Sequence, residues 1–450
     1  MPRRYWAIVV QLTAIVMAVL DASIANVALP TIARELNASP ANAVWVVNAY
    51  NLTLLVSMLP LSALSERVGI RQVFVAGLVV FTAASLVCAL SNSLLALTAG
   101  RILQALGAAA TMAVMAGIMR HIYPLKLLGR GIGLNAMIVG AAGAMGPTVS
   151  SIILSVADWP WLFAVNVPIG LLALCGIRFL PDSQRVRSRF DGVTALLSAI
   201  MLTLLVVGLD RLVANTGYAV AGMALAAALG YVILQRMRKQ TAPMWPIDLF
   251  RIRPFAYGIS AWLFLFSAHA SVFVALPFYF QSTFGRNQVE VGFLMTAWPI
   301  CAVLVAPIAG RLADRLPSGL LCAGGTSVMA AGLVLLLLLP ADVPTYWIVA
   351  AMAVSGMGFG FFHSPNNRSM LSSVPIQRSG AAGGMQGTTR TLGQSLGAAL
   401  VAISFGISSG RGPWLALVLA ILCTLGAATV NVIQLRDPKS RQVEEAASRR

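Results

Sequence analysis

The chain has 450 residues, of which 58% are hydrophobic and only 10% are charged, and its formal net charge at pH 7 is +17. Because a soluble domain is about 25% charged, this composition excludes a soluble globular protein and indicates one that crosses a membrane many times. The basic residues lie in short gaps between apolar runs and form no basic domain, which argues against nucleic-acid binding.

The chain contains about fourteen apolar runs long enough to cross a bilayer, which needs about 20 residues in a helix. An all-α polytopic membrane protein is therefore predicted. Twelve spans would also leave both termini on the same side of the membrane, but the seventh and eighth runs are both long enough to count. The runs are 5–29, 43–64, 73–91, 94–119, 131–156, 160–180, 193–210, 217–235, 255–280, 289–310, 319–340, 345–367, 380–408 and 413–434.

The first run contains one charged residue, Asp21, set well inside it. A carboxylate at the centre of a membrane helix costs about 2.5–3.5 kcal/mol on insertion scales. We therefore expect Asp21 to face a cavity or a partner and not lipid. It is the only carboxylate that these spans place deep in the membrane.

The gaps between the runs alternate in charge. Gaps after even-numbered runs are rich in arginine and lysine, whereas the opposite gaps hold only Arg34, Arg211, Arg286 and Arg411. Basic residues mark cytoplasmic loops. This asymmetry predicts that both termini lie in the cytoplasm.

Two short segments repeat the same pattern of residues. Segment 62–71 reads SALSERVGIR and segment 310–319 reads GRLADRLPSG. Each follows a run of the same rank in its half of the chain, and internal repeats are common in secondary transporters. We predict an N-terminal six-helix bundle (1–181), two inserted helices (182–245), a C-terminal six-helix bundle (246–436) and a cytoplasmic tail (437–450).

The residues around Asp21 resemble a known family. Segment 20–30, LDASIANVALP, is similar to the first-span signature LDxTIVNVALP of the fourteen-span drug:proton antiporters of the major facilitator superfamily. Segment 62–71 is similar to the superfamily loop GxLaDrxGrk. It departs from that pattern at Ser62, Glu66 and Ile70, and keeps Arg67, Gly69 and Arg71.

Further segments of the chain carry the same resemblance. Segment 100–107 is similar to the RxxQGxG-type motif, with one extra residue before its glycine. Gly146 and Pro147 match the start of the antiporter motif GPxxGG, whose final glycines are Ser150 and Ser151 in this chain. Segments 364–367 (SPNN) and 390–397 (RTLGQSLG) also resemble sequences of this branch.

The sequence contains no GxxxxGK[ST] or HExxH motif, so no enzymatic activity or cofactor is expected. The resemblance implies a major facilitator fold. It implies a proton-coupled antiporter that exports lipophilic, cationic drugs or toxic compounds across the inner (plasma) membrane and works as a monomer. An exporter of one metabolite, such as an amino acid or sugar, is the main alternative. A membrane-embedded enzyme or lipid-handling protein would need polar clusters of catalytic spacing, and none is found. No clustered His/Cys set suggests a metal site.

Asp21 is the first candidate for proton coupling, because a proton-driven exporter needs a group that can be charged or neutral. A structural acid bonded to neighbouring helices is the alternative. Arg101 and Gln104 share a helix face, and the family resemblance puts Arg101 on the proton path. Snorkelling of Arg101 to the outer interface is the alternative, and the sequence leaves open whether Arg101 pairs with Asp21.

Two further candidates lie in the second half. Arg390 is about ten residues inside its run and could line the second half of the cavity or anchor against carbonyl groups. His269 lies near the middle of the ninth run, where a histidine can relay protons or simply fill a buried hydrogen-bonded position.

Loop charges can hold the two halves together and release them during transport. We treat as gating residues Glu66, Arg67, Gly69, Arg71, Gly310, Asp314 and Arg315. For the arginines the alternative is membrane topology alone. Gly146 and Pro147 are expected to form a hinge, for which generic helix packing is the alternative.

Aromatic and amide side chains are expected to line the pathway, where aromatic rings can hold flat cations by cation–π contacts. Interfacial belts also use tryptophan and tyrosine. The cavity candidates are Asn26, Trp45, Asn48, Tyr50, Trp262, Phe266 and Trp298.

Overall fold

The computed structural model describes residues 3–36, 38, 45–181, 191–210, 215–237, 244–286, 288–408 and 411–440. Within these residues the chain is helical and has no strand. Its α-helices are α1 (Arg3–Glu35), α2 (Trp45–Val68), α3 (Ile70–Ala89), α4 (Leu94–Ile122), α5 (Leu125–Val156), α6 (Trp161–Ala164), α7 (Asn166–Cys175), α8 (Gly192–Asp210), α9 (Thr216–Met237), α10 (Arg253–Phe284), α11 (Gln288–Ala313), α12 (Ser318–Leu338), α13 (Thr345–Ser373), α14 (Ser379–Ile407) and α15 (Gly412–Arg436).

The predicted apolar runs correspond to these helices. In the described part of the chain, eleven helices are long and apolar enough to cross a membrane, and 127–143 and 161–175 are shorter apolar segments. Helix α14 is not among the eleven, because glycine, polar residues and Arg390 lower its hydropathy. The protein is thus an all-α multi-pass membrane protein, and the count of fourteen spans stays a prediction.

The sixth predicted run is interrupted, which the sequence analysis did not foresee. Helix α6 ends at Ala164 and helix α7 begins at Asn166. Pro168 falls in the first turn of α7. Because proline has no backbone N–H, it cannot bond to the carbonyl of Ala164, and a helix start is where proline is tolerated.

Two compact units account for the described chain. Unit 1 comprises 1–122, 141–195 and 376–387, and unit 2 comprises 123–140, 196–375 and 388–450. Helix α5 therefore begins in unit 2 and ends in unit 1, while α14 begins in unit 1 and ends in unit 2. The domain boundaries drawn from the sequence stay a prediction.

A glycine crossing recurs in both units. A Cβ added to Gly77 of α3 would lie 2.9 Å from the carbonyl oxygen of Gly107 in α4. In unit 2, a Cβ on Gly325 of α12 would lie 2.9 Å from the carbonyl oxygen of Gly358 in α13. Glycine thus lets each helix pair approach closely, and the two pairs occupy the same rank in their halves of the chain.

The turn between α2 and α3 is a single residue, Gly69. Its φ of 122° lies in a region that only glycine adopts without strain. Glu66 and Arg67 consequently belong to the last turn of α2, not to a loop as the sequence suggested, and Arg67 Nη1 donates to the Ala63 carbonyl at 2.6 Å.

Candidate functional site

Asp21 and Arg101 form a buried ion pair in unit 1. Arg101 Nη1 lies 2.5 Å from Asp21 Oδ2, and each side chain is 1% exposed. The two residues come from α1 and α4, so the pair joins helices that are distant in sequence. Because Arg101 is buried, the alternative that it snorkels to the outer interface is wrong.

Two amide side chains complete the hydrogen bonding of Asp21. Gln104 Nε2 donates to Asp21 Oδ1 at 2.7 Å, and Asn166 Nδ2 donates to the same oxygen at 2.9 Å. Gln104 also accepts from Arg101 Nη1 at 2.6 Å and donates to Ser85 Oγ at 2.8 Å. We call these five residues the acid network: Asp21, Ser85, Arg101, Gln104 and Asn166.

Aromatic rings enclose the guanidinium of Arg101. Its central carbon lies 4.1 Å from the centre of the Tyr50 ring and 5.5 Å from that of Phe163. Arg101 Nε also donates to the carbonyl of Val46 at 3.4 Å. Stacking and hydrogen bonds together give the buried cation the partners that it needs away from water.

Asp21, Arg101 and Gln104 were predicted from the sequence as site residues, whereas Ser85 and Asn166 were not. Asn166 was the one polar residue in the middle of the sixth run, whose other polar residue, Arg178, lies near its end, and α7 begins at Asn166. That isolation was a signal that could have identified it, because an amide in a membrane span needs a hydrogen-bonding partner. Ser85 carried no such signal, since its hydroxyl also bonds to the carbonyl of Phe81 in its own helix.

Glu66 connects the end of α2 to the start of α14 within unit 1. Arg378 Nη1 lies 2.5 Å from Glu66 Oε2, and the backbone N–H of Ala381 donates to Glu66 Oε1 at 3.0 Å. Ser62 Oγ donates to the Gly380 carbonyl at 2.5 Å. The end of α2 thus holds the first turn of α14.

Asp314 makes a comparable set of contacts within unit 2. Arg368 Nε donates to Asp314 Oδ1 at 3.0 Å. The backbone N–H groups of Gly129 and Arg130, near the start of α5, donate to the Asp314 carboxylate at 3.0 and 3.3 Å. A negative charge near a helix start is favoured by the helix dipole.

Four of the predicted site residues contact one another in unit 2: Trp262, Phe266, His269 and Trp298. The His269 ring lies 5.9 Å from Trp298, and Trp262 lies 4.9 Å from Phe266, between ring centres. Further rings join them, among them Phe359, 4.7 Å from His269, and His363, 5.0 Å from Trp262, neither of which was predicted from the sequence.

The other predicted residues are more scattered. Asn48 is exposed, Arg71 is half-buried in the first turn of α3, and Arg315 is exposed beside Asp314. Gly146 is buried in α5, and Arg390 is half-buried in α14. The side chains of Asn26, Trp45 and Pro147 lie outside the described part of the structure.

Several curated proteins resemble this chain over most of its length. It is 43% identical over 446 residues to "Uncharacterized transporter YebQ" of Escherichia coli, covering 98% of each chain. It is 33% identical to "Riboflavin transporter RibZ" of Clostridioides difficile, covering 90% of this chain and 89% of that protein. It is 30% identical to "Tetracenomycin C resistance and export protein" of Streptomyces glaucescens, covering 86% and 73%.

Solved structures share the fold at low sequence identity. The human organic anion transporter MFSD10 matches with a TM-score of 0.70 at 13% identity, covering 95% of this chain and 100% of that chain. The proton:xylose symporter XylE matches with a TM-score of 0.67 at 15% identity, covering 94% of each. The family model described as Major Facilitator Superfamily matches residues 12–398. The chain therefore belongs to the Major Facilitator Superfamily and has the fold of its membrane transporters.

Proposed function

We propose that this chain is a proton-coupled antiporter of the fourteen-span type that exports lipophilic drugs or other toxic compounds across the inner membrane by alternating access. The acid network carries this proposal. A carboxylate that is 1% exposed and bound by an arginine and two amides is a group whose charge can be cancelled by one proton. A charge that can be cancelled inside the membrane is what proton coupling requires.

Proton binding at Asp21 would change the whole acid network. The charged carboxylate accepts hydrogen bonds from Arg101, Gln104 and Asn166. Once protonated, Asp21 has no charge with which to hold Arg101, whose buried guanidinium then needs another partner. Breaking a buried ion pair costs about 3–5 kcal/mol. We infer that this cost drives helices α1 and α4 into a second arrangement.

Glu66 and Asp314 are proposed as the gating acids. Each binds the start of a long helix that is divided between the two units, α14 for Glu66 and α5 for Asp314. When the acid no longer binds the start of such a helix, that part of the helix is no longer held in its unit. The arginines that pair with these acids are Arg378 and Arg368. Arg67, Arg71 and Arg315 stay predicted gating residues.

The relatives support two substrate ranges. The resistance and export protein of Streptomyces glaucescens favours export of a toxic compound, while the riboflavin transporter of Clostridioides difficile favours a transporter dedicated to one metabolite. A free charge on Asp21 would help to attract the cationic substrate that the resemblance implies. Because Arg101 neutralises that charge, the proposal is made for lipophilic compounds in general.

Dye efflux from a pump-deficient host tests the proposal. Cells expressing the chain are loaded with ethidium or with the uncharged dye Nile red, with and without a protonophore. We expect protonophore-sensitive efflux of at least one dye, its loss in Asp21→Asn, and its retention in the control Asp342→Asn, whose side chain is exposed. Efflux by Asp21→Asn at the wild-type rate would exclude the coupling role. A response confined to one metabolite in a wider panel would favour the dedicated exporter.

A further inference from the structure

His269 occupies in unit 2 the position that Asp21 has in unit 1. Glu66 and Asp314 are 248 positions apart (314 minus 66), and so are Gly77 and Gly325, which make equivalent helix crossings. The same offset relates Asp21 to His269. It also relates Tyr50, which stacks on Arg101, to Trp298 beside His269.

An apolar residue takes the place of Arg101 in unit 2. Gly107 and Gly358 are 251 positions apart (358 minus 107), and this offset puts the buried Met352 at the rank of Arg101. In unit 2 a group of rings therefore lies where unit 1 has the ion pair. We call this the ring cluster: Trp262, Phe266, His269, Trp298, Phe359 and His363.

Ring faces in the cluster lie at stacking distance from one another. His269 lies 4.7 Å from Phe359 with an angle of 23° between the ring planes, and 4.5 Å from Phe273. His269, Phe359 and His363 are partly exposed, whereas Trp262 and Trp298 are buried. A planar ring system can thus approach the histidine side of the cluster and stack there.

Four polar ring atoms of the cluster have no hydrogen-bond partner among the described residues. The indole Nε1 atoms of Trp262 and Trp298 are buried without a hydrogen bond, and so are the Nδ1 atoms of His269 and His363. An indole N–H can only donate. A buried donor without an acceptor is costly. These edges therefore favour a ligand that has acceptor atoms, or a water molecule that such a ligand displaces.

The electrostatics of the cluster do not favour a cation. The positive charge of Arg390 acts on His363, which belongs to the cluster. In unit 1, the carboxylate of Asp21 already binds Arg101, Gln104 and Asn166. Cation–π attraction to the rings is thus opposed by the positive charge of Arg390.

We propose that the ring cluster binds the exported compound, and that this compound is a planar aromatic molecule, uncharged or anionic, with carbonyl or ring-nitrogen acceptors along its edge. That the bound compound is exported rests on the proposed function. The site itself is defined by unit 2 alone, and its ligand class differs from the lipophilic cations expected from the sequence.

Equilibrium binding to the purified full-length protein in lipid nanodiscs tests the ligand class without any proton gradient. Two fluorescent planar probes are compared by anisotropy: lumichrome, which is uncharged and has carbonyl and ring-nitrogen acceptors, and ethidium, a permanent cation. We expect lumichrome to bind at least about ten-fold more tightly than ethidium. Equal or tighter binding of ethidium, or no binding of lumichrome, would overturn the proposal.

Variants locate the site. The double variant His269→Phe with His363→Phe keeps two rings and removes their polar edges, and we expect it to weaken lumichrome binding by about ten-fold. The third histidine, His121, bonds to the carbonyl of Gly117 in unit 1 and provides the matched control His121→Phe. Arg390→Gln should tighten ethidium binding. If the double variant folds and binds lumichrome as the wild type does, the ring cluster is not the site.

The binding and efflux experiments separate the two proposals. Lumichrome binding without protonophore-sensitive efflux would leave the ring cluster as a site and refute the coupled exporter. Protonophore-sensitive efflux of ethidium, together with tighter binding of ethidium than of lumichrome, would support the exporter and refute this ligand class.

Discussion

Glu66 and Asp314 make the same kind of contact in the two units. Each carboxylate pairs with an arginine and accepts a backbone N–H near the start of a long helix. The helices concerned, α14 and α5, are the two that are divided between the units. The repeat that is visible in sequence segments 62–71 and 310–319 thus extends to the hydrogen bonds that these acids make.

Glu66 can be tested by a double-mutant cycle with Arg378. Glu66→Gln keeps an oxygen for the amide of Ala381 but loses the ion pair, so we expect a lower unfolding temperature. The variants Glu66→Gln, Arg378→Gln and their combination should give a coupling energy of about 0.5–3 kcal/mol, as for residues in direct contact. Additive effects of the two single changes would contradict the pairing. Glu35→Gln, at the exposed end of α1, is the control.

The sequence predicted the acids of these contacts better than their partners. Glu66 and Asp314 stood out because acids contribute little to membrane topology. Arg378 and Arg368 appeared only as cytoplasmic basic residues. Arg378 is 312 positions from Glu66, and one sequence holds no signal for so distant a contact. The helices themselves were predictable, because a bilayer requires long apolar runs.

The residues of the acid network and of the ring cluster were likewise predictable only in part. Asp21, Arg101 and Gln104 were found because charged and amide groups are costly within an apolar run. Phe359 and His363 were missed, since a phenylalanine in a membrane helix is ordinary and His363 lies beside a polar segment. The 248-position offset that relates Asp21 to His269 was present in the sequence, but it gained its meaning from the helix crossings at Gly77 and Gly325.

Asn166 is predicted to be a positioning residue for Asp21. Asn166→Ala removes the 2.9 Å hydrogen bond to Asp21 Oδ1 and should cost about 1–3 kcal/mol of stability, because a buried charged acceptor loses a donor. We expect proton-driven efflux to fall more than gradient-free counterflow, since only the former depends on the charge of Asp21. An equal fall in both rates would indicate a merely structural role. Asn48→Ala, at an exposed position of α2, is the control.

Gly310 is predicted to be required for the crossing of α11 and α5. A Cβ at this position would lie 2.5 Å from the carbonyl oxygen of Gly129, so one of the two backbones would have to move. We expect Gly310→Ala to lose about 1–3 kcal/mol of stability, as over-packed sites do. Thermal unfolding in detergent measures this loss.

The matched control for Gly310 is Gly324 in α12, where a Cβ would meet nothing within 4 Å. Gly324→Ala should be neutral or stabilising by up to about 1 kcal/mol, because alanine favours the helix. Equal unfolding temperatures for Gly310→Ala and Gly324→Ala would show that α11 and α5 do not approach as closely as described.

Asp437, just after α15, gives a prediction about pH. Its carboxylate accepts from Arg253 Nη1 at 2.8 Å and from the hydroxyl of Tyr257 at 3.3 Å, and the hydrogen bond from Arg253 lowers the pKa of Asp437 below its ordinary value. A lowered pKa in the folded state means that the carboxylate stabilises the fold above the unfolded pKa of about 3.9. That stabilisation is lost as the pH falls through the lower, folded pKa.

Asp437→Asn should therefore unfold at a lower temperature than the wild type at pH 7, and the difference should shrink as the pH falls below about 4. The contact joins the start of α10 to the residue after α15, so the loss is expected at the ends of those helices. Differential scanning fluorimetry at a series of pH values measures it, with the exposed Asp342→Asn as the control. A difference between Asp437→Asn and the wild type that is constant across this pH range would show that the charge of Asp437 does not stabilise the fold.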